Sequence, residues 1–323
     1  MHFWTMHVFH KLDEVPRDFG PTFVSVGNFD GVHRAHRHVL REIVERAKAY
    51  STTGTSAKSV AVTFEPHPIR ILRPDSGLKL LTPTPEKIRL LAETGLDAVL
   101  MLPFTRDLSL MTPRQFAHDI LHKSLRACEV HEGFNFHFGH KASGNVDTLK
   151  EFGSQMGFEV VMYAEMKLRG ESVSSSHIRK LLMEGKVSRA RHLLMRPFNI
   201  LSTAGCGRGY GSKYTVPTIN LSRYEELVPK DGVYITRTRV GGECFDSVTN
   251  VGNRPTFGAD SFAIETHLLN FHPIELTAET EVELFFLDRL RDEIKFPSVE
   301  ALKEQIGHDV RKAGRYLSLL KKV

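Results

Sequence analysis

The chain has 323 residues, a net charge of +5, 41% hydrophobic and 25% charged residues, which suits two soluble globular domains. The modest positive charge fits anionic small molecules such as nucleotides, and no Lys/Arg block marks a nucleic-acid partner. No apolar run of ~18 residues suggests a membrane span, no signal-peptide pattern opens the chain, and Cys128, Cys206 and Cys244 have neither zinc nor disulfide spacing, so a cytoplasmic protein is expected.

In chain order, "TFVSVGNF" (Thr22–Phe29) reads as a short strand running into a turn. The following stretch puts Val39, Leu40, Ile43, Val44 and Ala47 on one face of a helix. "SVAVTFEPHP" is a β-branched strand stopped by Pro66 and Pro68, which flank His67. "TPEKIRLLAETG" and "TPRQFAHDILHKSL" start with Thr-Pro helix signals. Apolar runs at "LDAVLMLPF", "ACEVHEG" and "FEVVMYAEM" alternate with these helices, predicting an α/β domain with a parallel sheet. "SSSHIRKLLMEG" and "SRARHLLM" are two short helices in succession.

After Met195 the texture becomes glycine-rich and then β-rich, with short runs separated by Gly, Asn and Asp. This predicts a mainly antiparallel β-barrel. A terminal amphipathic helix follows, with Val299, Leu302, Ile306, Val310 and Leu317 on its apolar side. The expected domains are residues 1–195 and 196–323.

Two stretches carry chemistry. "GNFDGVHRAH" places His33 and His36 three apart where a strand leads into a helix. In a parallel sheet, ligands bind beyond such strand ends, and helix N-termini favour phosphate. Neither of the common glycine-rich nucleotide fingerprints is present. Two imidazoles on one turn can donate hydrogen bonds to a single phosphoryl group as its charge grows. Two exposed histidines at a helix start are the plainer alternative; zinc would need a third ligand. In the second stretch, "GCGRGYGSKYTVPTINL", Gly205 and Gly207 belong to a loop whose N–H groups can wrap an anion. Thr218 and Asn220, two apart on a strand, share a face where they can hold a magnesium ion.

In order, "GNFDGVHRAH", "TFEPHP", "GFNFHFG" and "SSSHIR" resemble the nucleotidyltransferase module of the bifunctional riboflavin kinase/FMN adenylyltransferase family, the prokaryotic FAD synthetases. "VPTINL", "GVYITRTRV", "NVGNRPTF", "ETHLLNF" and "LRDEIKF" resemble its riboflavin kinase module. The resemblance implies a Rossmann-like nucleotidyltransferase domain, then a riboflavin kinase-like barrel, with ATP, riboflavin and FMN as substrates and Mg2+ as cofactor. It implies that His33 and His36 hold ATP phosphates, with Gly27, Asn28 and Asp30 of the same motif at the nucleotide. Asn135, Phe136 and Phe138 would line the nucleotide and flavin pocket, and Ser175, Ser176 and Arg179 would bind pyrophosphate. In the second module Thr218 and Asn220 would bind Mg2+ and ATP phosphates, Glu265 would be the general base on the ribityl hydroxyl, and Arg291 would lie by the flavin.

This chain departs from the family pattern at Ala35, which stands where the family has glycine, at residues 212–216, and at Asn270, which replaces an aspartate. The alternatives to a bifunctional enzyme are one active site only, or a flavin- or nucleotide-binding regulator. Retention of Glu265 speaks against a regulator, which needs no base.

Overall fold

A computed structural model of the chain describes residues 6–51, 56–205, 218–253, 262–272, 277 and 279–320. They form two compact units, Met1–Ser175 and Ser176–Val323.

The first unit runs β1 (His7–Phe9), β2 (Thr22–Val26), α1 (Arg34–Ser51), β3 (Lys58–Glu65), α2 (Pro68–Leu72), α3 (Thr84–Ala92), β4 (Ala98–Pro103) and α4 (Arg106–Leu110). Then come α5 (Pro113–Gln115), which continues as a π-helix over Phe116–Ser124, β5 (Ala127–Gly133), the short pair β6 (His137–Phe138) and β7 (Gly144–Asn145), α6 (Val146–Met156) and β8 (Glu159–Tyr163). A small hairpin, β9 (Lys167–Leu168) and β10 (Glu171–Ser172), completes it.

Six strands make one parallel sheet in the order β1-β4-β3-β2-β5-β8. The alternating strands and helices of the sequence therefore form the expected α/β unit. β2 is buried along its whole length, as a central parallel strand covered on both faces must be. Its side chains alternate between two cores. Phe23 joins Ala61, Val99 and the inner face of α1 (Leu40, Ile43, Val44, Ala47). Val24 and Val26 join Val60, Val62, Leu100, Phe116, Ile120 and Leu149 on the other face. From β2 the chain builds outward through β3 to β4, then returns to place β5 on β2's other side. The order reverses between β2 and β5, and ligands bind at the crevice above such a reversal.

The second unit contains α7 (Ser175–Met183, starting at the junction), α8 (Val187–Leu194), β11 (Phe198–Thr203), β12 (Thr218–Asn220), β13 (Gly232–Val240), β14 (Glu243–Asn253), β15 (Phe262–Leu268), β16 (Glu281–Arg291) and α9 (Val299–Leu320). The strands form an antiparallel sheet ordered β11-β16-β13-β14-β15-β12. Its two edges meet at an Ala204–Leu221 bridge, where the Gly205 N–H donates to the Asn220 carbonyl at 2.8 Å. The sheet thus curls into the expected barrel-like form, with Tyr234, Phe198, Phe286, Leu284 and Ile264 buried inside.

Outside, α9 packs Ala313 and Leu317 on Val233, Ile235, Val248 and Leu287. Only the C-terminal part of its apolar stripe is covered in this way: Val299, Leu302 and Ile306 remain 54%, 39% and 39% exposed. α8 buries Val187, Ala190, Leu193 and Leu194 and packs against β11 and β16. The composition changes at Arg196, but the second compact unit already begins at Ser176, and α8 lies against the barrel strands.

Candidate functional site

The first candidate site is the turn joining β2 to α1. Phe29, Gly31 and Val32 all have positive φ (48°, 85° and 38°). Only glycine takes this region freely, and a β-branched valine is strained there. Such strain persists where the surroundings over-determine it, and here the surroundings are visible. The buried Asp30 carboxylate accepts from the Leu81 N–H (2.9 Å), the Thr82 N–H (3.1 Å) and the Thr82 hydroxyl (3.4 Å). The Gly31 N–H donates to Thr82 Oγ1 at 3.0 Å, and the Ser175 hydroxyl donates to the Asp30 carbonyl at 2.8 Å. Arg37 Nε donates to the Val32 carbonyl at 3.3 Å while its Nη2 pairs with Glu93 at 2.9 Å.

Asp30→Ala is therefore expected to release this turn. Two buried backbone N–H groups would lose their acceptor, at roughly 1–3 kcal/mol each. Thermal unfolding should shift down, and FAD formation should fall further than FMN formation in the same preparation.

His33 immediately precedes α1. Its carbonyl accepts from the Arg37 N–H at 2.9 Å, and its Nδ1 accepts from the His36 N–H at 3.4 Å. The imidazole thus does what a serine or aspartate does at a helix start. With Nδ1 as acceptor, a neutral His33 ring carries its proton on Nε2. The two rings stack at 3.6 Å between centroids, 15° from parallel, and Phe29 meets His36 edge-on at 5.2 Å. Burial, and then the neighbouring His33, hold the His36 imidazole well below the usual histidine range, so it is neutral at pH 7. Its Nδ1 is buried with no partner among the described residues. Ala35 lies on the first turn of α1 between the histidines, and Asn28 is exposed just after Gly27.

Two buried groups beneath this turn escape sequence reasoning. The β2–β5 pairing ends at Val24–Val130, and beyond it Glu132 reaches across to accept the Val26 N–H at 2.6 Å. Burial raises the Glu132 carboxyl well above the usual carboxylate range. Lys87 donates to Thr63 Oγ1 (3.4 Å) and the Phe64 carbonyl (3.3 Å), and the Thr63 hydroxyl donates to the Asn28 carbonyl (3.3 Å). Burial lowers the Lys87 ammonium, opposed by Glu65 and Asp30. A carboxylate inside an apolar strand, "CEVHEG", was the available signal for Glu132. Lys87 had none.

Beyond β5, on the other side of the reversal, Asn135 is exposed and Phe136 half-buried. Phe136 stacks on Phe138 at 5.3 Å, and Phe138 is in the core against Phe116. Of the three, Asn135 is exposed, while Phe136 packs on the core through its stack with the buried Phe138. His67 lies past the end of β3, where its ring accepts from the Ile69 N–H at the start of α2. Ser176 and Arg179 lie on α7 in the second unit, together on one face with Met183.

The second candidate site is on the α9 side of the antiparallel sheet. Thr218 stands opposite His267, Asn220 opposite Glu265, and Glu265 opposite Asn250. Directly opposed residues share a sheet face, so these side chains form one polar patch across three strands. Asn250 Nδ2 donates to Glu293 at 3.1 Å. The Glu293 carboxylate lies over Gly252, where a Cβ would come within 2.2 Å of it, so a side chain there would displace Glu293. Arg291 donates from Nε and Nη2 to the buried Asp309 of α9 at 3.0 and 2.8 Å, and Gln305 also donates to Asp309 at 2.9 Å. The Arg291 guanidinium is thus oriented by the helix. Gly205 reaches the patch through its bond to Asn220. Gly207, residues 212–216 and the "RPTF" of the third kinase motif lie outside the described residues. Asn270, just past β15, has a φ of 53°, a region asparagine tolerates better than most residues.

Fold and sites together define a two-unit transferase: a doubly wound α/β unit with paired imidazoles at its reversal point, then a curled antiparallel sheet with an oxygen-rich patch. Residues 15–177 match the FAD synthetase family model, and residues 194–317 match the riboflavin kinase model. Similar chains named bifunctional riboflavin kinase/FMN adenylyltransferase include one from Buchnera aphidicola subsp. Schizaphis graminum, 32% identical over 92% of this chain and 94% of its own. Another, from Escherichia coli strain K12, is 30% identical over 97% of both chains. A crystal structure titled as a macrolide-efflux protein from Streptococcus pneumoniae superposes with a TM-score of 0.83 over 95% of this chain and 97% of that one, at 24% identity. At that identity the likeness speaks for the fold alone. None of the described helices is long and apolar enough to cross a membrane. The chain belongs to the bifunctional riboflavin kinase/FMN adenylyltransferase family. It is a two-step flavin cofactor enzyme, making FMN from riboflavin and FAD from FMN.

Proposed function

We propose that residues 1–195 carry out adenylyl transfer with His33 and His36, and that residues 196–323 carry out phosphoryl transfer with Thr218, Asn220 and Glu265. What supports this reading is that the two donor sets belong to different compact units, His33 and His36 in the first and Thr218, Asn220 and Glu265 in the second. Both steps are in-line displacements at phosphorus, where positioning and charge stabilisation dominate.

In the first step the ribityl 5′-hydroxyl of riboflavin attacks the γ-phosphorus of ATP, its proton passes to Glu265, and ADP leaves. Thr218, Asn220 and Glu265 offer hard oxygen donors on one face, a set that fits magnesium. Bound there, the ion would neutralise phosphate charge. Gly205 and Gly207 would add N–H donors to the phosphates. Arg291, oriented by Asp309, would sit beside the flavin.

In the second step a phosphate oxygen of FMN attacks the α-phosphorus of another ATP, and pyrophosphate leaves. The Nε2–H groups of His33 and His36 would stabilise the charge that builds on the phosphoryl oxygens. Gly27 and Asn28 would flank the nucleotide, with Asp30 holding the turn. Asn135 and Phe136, backed by Phe138, would face the flavin, and Ser175, Ser176 and Arg179 would take the pyrophosphate. A cytoplasmic enzyme with no nucleic-acid partner fits this substrate set.

Incubation of the pure protein with riboflavin and ATP, with magnesium or with excess EDTA, followed by chromatography of the flavins, tests the reading. FMN and FAD should both accumulate with magnesium and neither with EDTA. FMN alone would mean an inactive adenylyl site, and flavin binding without conversion would favour a regulator.

A further inference from the structure

Inside the barrel, on the reverse face from Glu265 and Asn250, five hydroxyls are completely buried: Thr236, Thr238, Ser247, Thr249 and Thr266. Their contacts close a cycle. Thr236 meets Ser247 at 2.8 Å, Ser247 meets Thr238 at 2.8 Å, Thr238 meets Thr266 at 3.1 Å, Thr266 meets Thr249 at 2.9 Å, and Thr249 meets Thr236 at 2.8 Å. Each hydroxyl has one proton, so one donated and one accepted bond apiece satisfies the whole ring. Thr249 donates to Thr266, which fixes the direction of every other bond.

The ring also measures curvature. Thr238 is on β13 and Thr266 on β15, with β14 between them. In a flat sheet, strands two apart are separated by roughly 9–10 Å. Hydroxyl contact between Thr238 and Thr266 therefore requires the sheet to fold sharply over β14, and the ring holds it there. Thr266 adjoins Glu265, and Thr249 adjoins Asn250, with both pairs directly opposed across β14 and β15. The curl on the inner face thus sets the angle at which Glu265 and Asn250 leave the outer face.

We propose that this hydroxyl ring is a positioning device for riboflavin phosphorylation, with Thr266 and Thr238 acting through the curvature that aims Glu265. The inference rests on the reading of Glu265 as the base. A shift on the order of 1 Å at reacting groups can lower rate by ~10²-fold, so loss of the ring should be visible in turnover.

The test compares Thr266→Val, Thr238→Val and Thr266→Ser in the full chain, with Glu265→Gln alongside. Valine keeps the shape but removes the hydroxyl; serine keeps the hydroxyl. Each preparation is first checked for riboflavin binding and for FAD formation from supplied FMN. Both valine variants should lose about ten-fold or more in kcat for FMN formation, within the range given by small misplacements. KM for riboflavin should change little, and Thr266→Ser should stay near the parent. Parental kcat in a folded Thr238→Val, or equal loss in Thr266→Ser and Thr266→Val, overturns the proposal. A purely structural role would lower thermal stability and leave kcat below the transition intact. Unchanged turnover in Glu265→Gln would instead refute the base reading.

Discussion

Replacing His33 or His36 by alanine is expected to lower FAD formation from supplied FMN by ~10²–10³-fold, the usual effect of removing one donor to a transition-state oxyanion, about 2.7–4 kcal/mol. FMN formation should stay within a few-fold of the parent. The two residues should differ in stability. His33 also accepts the His36 N–H at the start of α1, and loss of such a cap costs about 0.5–2 kcal/mol. His33→Asn separates the two roles, because asparagine caps well but offers no donor at the Nε2 position. That variant should unfold near the parental temperature and still fail to make FAD. Equal loss of FMN and FAD formation in a folded His36→Ala would remove the pair from the adenylyl site. Nearly normal FAD formation in both alanine variants would leave the histidines with only a helix-capping role.

Glu265→Gln is expected to lower FMN formation by about 10²-fold or more, within the range contributed by a positioned general base. Glutamine keeps the length and most polar contacts opposite Asn220 and Asn250 and loses only the proton acceptor. Riboflavin binding, read by quenching of flavin fluorescence, should change little. FAD made from supplied FMN should be unaffected. A raised KM with kcat unchanged would identify Glu265 as a binding contact instead. A glutamine variant that turns over at the parental rate would leave Thr218, Asn220 and the proposed magnesium ion to carry the step by charge stabilisation alone.

The α/β alternation was legible because buried parallel strands and amphipathic helices are encoded by neighbouring residues: the inner face of α1 appears in the residue spacing itself. The Thr218–Asn220 pair was legible for the same reason, since a two-residue step returns to one face of a strand. Val299, Leu302 and Ile306 mark the limit of such reasoning. Periodicity locates an apolar stripe, but whether anything lies against it depends on where the helix crosses the sheet.

By itself, the sequence determined the two-part architecture, the oxygen donors on β12 and the histidine pair beyond β2, because each is written within a few consecutive residues. Only the tertiary structure decided what those residues do to one another. Asp30 stands out within its motif, but only folding brings the Leu81 and Thr82 N–H groups to its carboxylate. Arg291 stands out within its motif too, but only the packing of α9 brings the Asp309 that orients it. Glu132 reaches Val26, and five hydroxyls close a ring across β13, β14 and β15, only because particular strands became neighbours. Strand adjacency and sheet curvature are properties of the whole packed chain. Burial then removes water as a competing partner and makes each such pairing necessary.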